Sequence, residues 1–252
     1  MSLRECVVGV CLSLISYGAV AQRAGDFSEK NTWTVFTEYS NTSSHMLMGV
    51  ARQRKLATLG GSYARRLWRS RVGDFSYLAE VRPMVWESDP TDVDDVTEVF
   101  TNPPQTFTVQ LSGTTVSPCV AGTFTSSNTI APPLGPARTV NTTAVVTCGR
   151  RWSYAEAFTP IGIRQSFRPG KKIQPFLVGT AGYMYSSVPL PTEQAGSFNF
   201  TFDFGAGVEV FRTPRRSVSL EYRFHHFSNK DTAVDNPGVD NGVFKLSYSF
   251  KR

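Results

Sequence analysis

Two adjacent histidines, His225 and His226, stand just ahead of Ser228 near the end of the chain. A serine hydroxyl is a poor nucleophile until a base takes its proton. Imidazole is the side chain that does this near neutral pH. In an extended strand, residues two apart share a face and lie about 7 Å apart along it. His226 and Ser228 therefore share one face, and His225 falls on the other with Glu221 and Arg223. A third group, usually a carboxylate, must hold the imidazole in the productive tautomer. The following segment offers Asp231, Asp235 and Asp240. Asp240 opens the last strand, which places it nearest the pair in an antiparallel hairpin. The pattern is that of a serine esterase. A plainer reading leaves His226 and Ser228 as amphipathic side chains at a membrane interface.

Positioning these groups requires strands, and the chain reads as strands. Period-two alternation over about 9–11 residues is the mark of a membrane-crossing β-strand. Trp33, Val35, Thr37 and Tyr39 alternate with polar neighbours. So do Phe75, Tyr77, Ala79, Val81 and Val85, and Ala155, Ala157, Ile161 and Ile163. Phe198, Phe200, Phe202, Phe204, Ala206, Val208 and Val210 give the cleanest case. Val218, Leu220, Tyr222 and Phe224 make another, and Phe244, Leu246, Tyr248 and Phe250 close the chain. Weaker candidates over 56–67 and 173–185 bring the count to about eight. Charges such as Glu221 and Arg223 sit on the non-apolar face, as the lumen of a small barrel allows. A soluble sandwich alternates too; export and strand number favour the barrel.

The 252 residues are 40% hydrophobic, 18% charged and 12% aromatic. That length suits one domain, and the aromatics argue against disorder. No run of about 18 apolar residues exists, which excludes a helical span. The net charge of +6 is unevenly placed. Six acids lie between Glu87 and Glu98, and basic clusters occupy Arg65–Arg71, Arg168–Lys172 and Arg212–Arg216. No basic patch interleaved with aromatics marks a nucleic-acid module, so no nucleic-acid partner is expected. The acids lack the spacing of a calcium loop, and no metal is expected.

Residues 1–21 resemble a signal peptide: an apolar run over 7–15, then Ala19-Val20-Ala21 before Gln22. The expected domain is a β-barrel over 22–252. Cleavage leaves Cys119 and Cys148, which can pair in an oxidising compartment; a free thiol pair is the alternative. The short connections at Arg69–Gly73, Arg168–Lys171 and Arg212–Arg215 alternate with longer ones, which places the short turns in the periplasm. The segment 88–150 is too long for a simple connection. It is expected as one long extracellular loop on an all-β, eight-stranded antiparallel outer-membrane barrel.

The run Tyr222-Arg223-Phe224-His225-His226-Phe227-Ser228-Asn229, followed by Asn236-Pro237-Gly238-Val239-Asp240, resembles the PagL-type lipid A 3-O-deacylase (acyloxyacyl hydrolase) family. The match is strongest over 217–250. The resemblance implies a bacterial outer-membrane hydrolase acting on lipid A of lipopolysaccharide, with its site facing lipid and with no cofactor. It implies Ser228 as nucleophile, His226 as base, Asn229 as an oxyanion group and Asn236 as a loop residue of the site. The acid falls on Asp240, where the family pattern has a glutamate; aspartate is one methylene shorter. Arg223 and Lys230 are candidates by position to hold lipid A phosphates, with ordinary solvent or lumen roles as the alternative. Some family members are dimers, so a homodimer stays open. The competing readings are a non-catalytic small barrel, adhesive or structural, and a phospholipase.

Overall fold

The structure, a computed structural model, describes Phe27 and residues 30–102, 105–131 and 135–251. The expected leader at 1–21 lies outside the described residues. Ten strands follow one another: β1 Asn31–Ser40, β2 Lys55–Arg69, β3 Gly73–Asn102, β4 Gln105–Thr115, β5 Gly122–Ile130, β6 Arg138–Phe167, β7 Ile173–Ser186, β8 Phe198–Thr213, β9 Arg216–Ser228 and β10 Val239–Lys251. All pairings between them are antiparallel. β3, β2, β1, β10, β9, β8, β7 and β6 pair in that order, and β6 pairs back onto β3. These eight strands therefore close a barrel and leave no free edge in its wall.

The wall is apolar outside and charged inside. Leu220, Tyr222, Phe244, Leu246, Ile161 and Leu177 are exposed outward. Inside, Glu80 accepts from Arg82 at 2.9 Å, from both terminal nitrogens of Arg223 at 3.0 Å, and from Lys245 at 2.7 Å. Glu38 shares Arg82 and Lys245, and Asp203 takes Arg82 and Thr180. A cavity of about 10 Å³ remains beside Glu80, Arg223 and Lys245, roughly the space of one water. The lumen is plugged by ion pairs. Such a wall suits hydrocarbon outside it, because a closed ring of paired strands leaves no ladder edge open.

Within the wall two strands depart from simple alternation, each at a proline; the other register shifts, at Arg66/Trp68 in β2 and Phe211/Thr213 in β8, lie next to the short turns. β3 carries a bulge between Arg82 and Val85, and β6 one between Phe158 and Ile161. Proline cannot donate to a ladder and gathers at bulges. An extra residue reverses the faces beyond it. Val85 is thus buried inside, whereas Met84 and Trp86 lie outside. Ala155 and Ala157 are buried, whereas Ile161 and Ile163 are exposed. The alternation expected for Phe75–Val85 and for Ala155–Ile163 as single faces is corrected accordingly. Tyr154 donates to the Pro83 carbonyl and Tyr77 to the Pro160 carbonyl, each at 2.5 Å.

The segment expected as a loop is built of strands. β3 and β6 stay paired from Gly73–Phe167 to Thr101–Thr139, far beyond the barrel rim near Ser88. At 3.3 Å per residue, 89–102 rise about 45 Å above it. β4 and β5 flank this ribbon, in the order β4-β3-β6-β5. Its Thr, Val and Ser residues favour strands, but it exposes both faces and so shows no apolar alternation. The Cys119–Cys148 disulfide staples it. Gln53 ties Cys119 to the β1–β2 loop through two backbone contacts.

Two outcomes follow from this packing. Glu80→Ala strips three buried cations of a shared partner and should cost about 3–5 kcal/mol, read as a lower urea midpoint in lipid vesicles. Closing the 29-residue disulfide span restrains the open chain by about 3.5 kcal/mol in the chain-entropy account. Cys148→Ser should therefore speed proteolysis within 105–147 and leave the heat-modifiable gel mobility of the barrel intact.

Candidate active site

His226 lies in β9 directly opposite Asp240 in β10. Antiparallel partners hold their Cβ atoms about 5 Å apart, and this register brings the two side chains together. Nδ1 of His226 meets Oδ1 of Asp240 at 2.7 Å. With Nδ1–H donated to the carboxylate, the neutral ring presents Nε2 as its basic nitrogen. The imidazole sits on the outward face with Phe202 and Phe224, at ring-centre distances of 5.8 and 6.5 Å.

The other carboxylate oxygen of Asp240 is held by backbone. Leu47, Met48 and Met46 donate to Oδ2 at 2.7, 3.0 and 3.3 Å. The β1–β2 loop achieves this by folding across the start of β10. Val50 donates to the Pro237 carbonyl and Ala51 to that of Gly238, while Ser44 donates to the Asp240 carbonyl. Two glycines permit the approach. A Cβ on Gly49 would lie 2.6 Å from Asp240 N, and one on Gly238, which has φ +57, would lie 3.1 Å from Cε1 of His226. The result is a buried His226 under a fixed cover. A short aspartate reaches the imidazole because the register puts it directly opposite.

Ser228 ends β9, half-buried, on the same face as His226 and across from Phe200. Its hydroxyl makes no hydrogen bond to the imidazole among the described residues. Asn229 is wholly buried and spends its donors inside the hairpin loop. Its N–H goes to Oδ1 of Asn236 at 3.1 Å, and its Nδ2 to the Asp235 carbonyl at 2.7 Å. Asn236 donates in turn to Asp231. The two asparagines thus brace the loop. Asp235 accepts from Thr192 at 2.5 Å and stands apart from the imidazole, so the acid beside His226 is Asp240.

Arg223 is corrected. It points into the lumen, where Glu80 and Glu221 bind it, and no headgroup reaches it there. His225 likewise turns inward, to Asp203 at 2.5 Å. Lys230 remains exposed beside the site. Sequence reading missed two features. The first is the amide cradle of Met46–Met48, which is distant in sequence and has no side-chain signature. The second is that Lys230 and Asp231 both hold positive φ, +52 and +60. Such values are uncommon away from glycine and gather at functional sites. Their N–H groups have no acceptor among the described residues and lie just past Ser228.

Residues 138–249 match the model of the family described as Lipid A 3-O-deacylase (PagL). That span runs from the start of β6 into β10 and includes both histidines, Ser228 and Asp240. A 22 kDa outer membrane protein of Rhizobium leguminosarum bv. viciae is 36% identical over 91 residues, 33% of this chain and 43% of that protein. The chain therefore covers less than half the length of this relative. Among solved structures, the outer membrane enzyme PagL aligns with 87% of this chain and 99% of its own, at 14% identity and a TM-score of 0.48. A COG4313 outer membrane channel from Pseudomonas putida F1 aligns with 93% of this chain and 98% of its own, at 10% identity and a TM-score of 0.30.

Gly49→Ala forces the β1–β2 loop off Asp240. His226 should then react faster with diethyl pyrocarbonate, by peptide mass spectrometry, while luminal His225 stays protected.

Proposed function

We propose that the chain is a bacterial outer-membrane esterase of the PagL type, exported by residues 1–21 and folded over 22–252, that removes an ester-linked acyl chain from lipid A. The observation that carries this reading is the His226–Asp240 pair at 2.7 Å, set on the outside of a barrel with Ser228 two residues along the same face. The family match over 138–249 supports lipid A as the substrate class.

In this reading Ser228 Oγ attacks the ester carbonyl, and Nε2 of His226 takes its proton. The tetrahedral intermediate collapses as His226 returns that proton to the departing sugar hydroxyl. Water, deprotonated by the same nitrogen, then frees the fatty acid and restores Ser228. Asp240 positions the imidazole and offsets its charge. The resemblance assigns the oxyanion to Asn229; the geometry favours the unengaged N–H groups of Lys230 and Asp231, with Asn229 and Asn236 holding their loop. A good oxyanion donor is worth about 10²–10³ in rate. A substrate in the surrounding leaflet reaches an outward-facing site without a tunnel. Lys230 stands ready for a phosphate.

The test is mass spectrometry of lipid A after incubation with purified, folded protein. Wild type should release one acyl chain. Ser228→Ala and His226→Ala should abolish release, and Asp240→Asn should lower it by about 10⁴. Intact lipid A with wild type refutes the reading, and cleavage confined to glycerophospholipids converts it to a phospholipase.

A further inference from the structure

The end of the barrel opposite the candidate site has an unusual charge distribution. Its three short turns, with the first residue of β9, carry Arg71; Arg168, Lys171 and Lys172; and Arg215 and Arg216. All six are exposed, and none has an ion-pair partner among the described residues. The described acids at this end are withdrawn from the surface. Asp74 is buried beside Arg66 and Arg69, and Glu209 is buried against Arg164. Among the described residues the cations thus meet no carboxylate at the rim. The opposite end carries exposed acids, Asp95 and Asp231 among them.

Beside the turns lie large aromatics. Trp68 is 60% and Trp33 57% exposed, on the outward face at the same end of β2 and β1. Indole rings of this kind sit at the level where hydrocarbon meets headgroups. They place the six cations just beyond the hydrocarbon, at headgroup depth. A soluble polyanion would need a groove or concave face; these cations instead ring a rim whose sides face lipid.

We propose that this rim is a collar that binds anionic phospholipid headgroups of the leaflet around the short-turn end. Each cation near an anionic surface contributes about 1 kcal/mol, and the three turns engage lipids around the circumference rather than at one pocket. The collar holds the barrel at a set depth, with the site facing the other leaflet. It is independent of the esterase reading, because none of its residues touches the site.

Selective quenching of tryptophan by brominated lipids tests it. Trp86→Phe and Trp152→Phe leave Trp33 and Trp68 as reporters in the full barrel. Brominated phosphatidylglycerol should compete over brominated phosphatidylcholine by about fivefold or more at low salt. The preference should shrink towards unity in 1 M salt, where the screening length is about 3 Å. Replacing the six turn cations with glutamine should bring it near unity at low salt, in protein whose heat-modifiable mobility shows it folded. A wild-type preference near unity, or one unchanged by the six substitutions, overturns the proposal.

Discussion

The structure rests on closing eight strands around a narrow lumen too charged to stay unpaired. Glu80 is the pivot. Its carboxylate gathers Arg82, Arg223 and Lys245 from three strands, and removing any one partner would strand charge in a region of low dielectric. Because the polar side chains are consumed inside, the wall can be apolar outside. Where one strand slips by a residue, as at Pro83 and Pro160, the faces exchange and the wall stays continuous.

The candidate site is a by-product of the same geometry at the rim. The last apolar face of β9 ends in His226 and Ser228 where the barrel gives way to loops. The β9–β10 register then sets Asp240 opposite the imidazole. The acid is oriented twice, by the imidazole and by three backbone amides from the β1–β2 loop. That loop in turn is braced to the ribbon above the rim through Gln53 and Cys119. Chemistry, cover and ribbon form one connected outer end, and the opposite end is left to short, basic turns.

The strand pattern, the eight-strand count and the pairing of His226 with Asp240 were legible because alternation and hairpin register are local properties. A residue's face follows from its parity, and a hairpin aligns its partners by turn length. The faces of Val85, Ala155 and Ala157 were misread because parity carries no mark of a bulge except proline itself. Arg223 was read both as a lumen charge and as a headgroup ligand, since sequence supplies a face but no partner.

Sequence alone determined that the chain alternates, that charges such as Glu221 and Arg223 lie on the non-apolar face of their strand, and that an imidazole, a hydroxyl and a carboxylate fall near the last hairpin. Tertiary structure decided what those groups meet. The amide cradle on Asp240 comes from residues some 190 positions away in the chain, and the ribbon of β3 to β6 forms because long strands pair beyond the rim. Both depend on closure of the ring, a non-local constraint that no window of sequence contains.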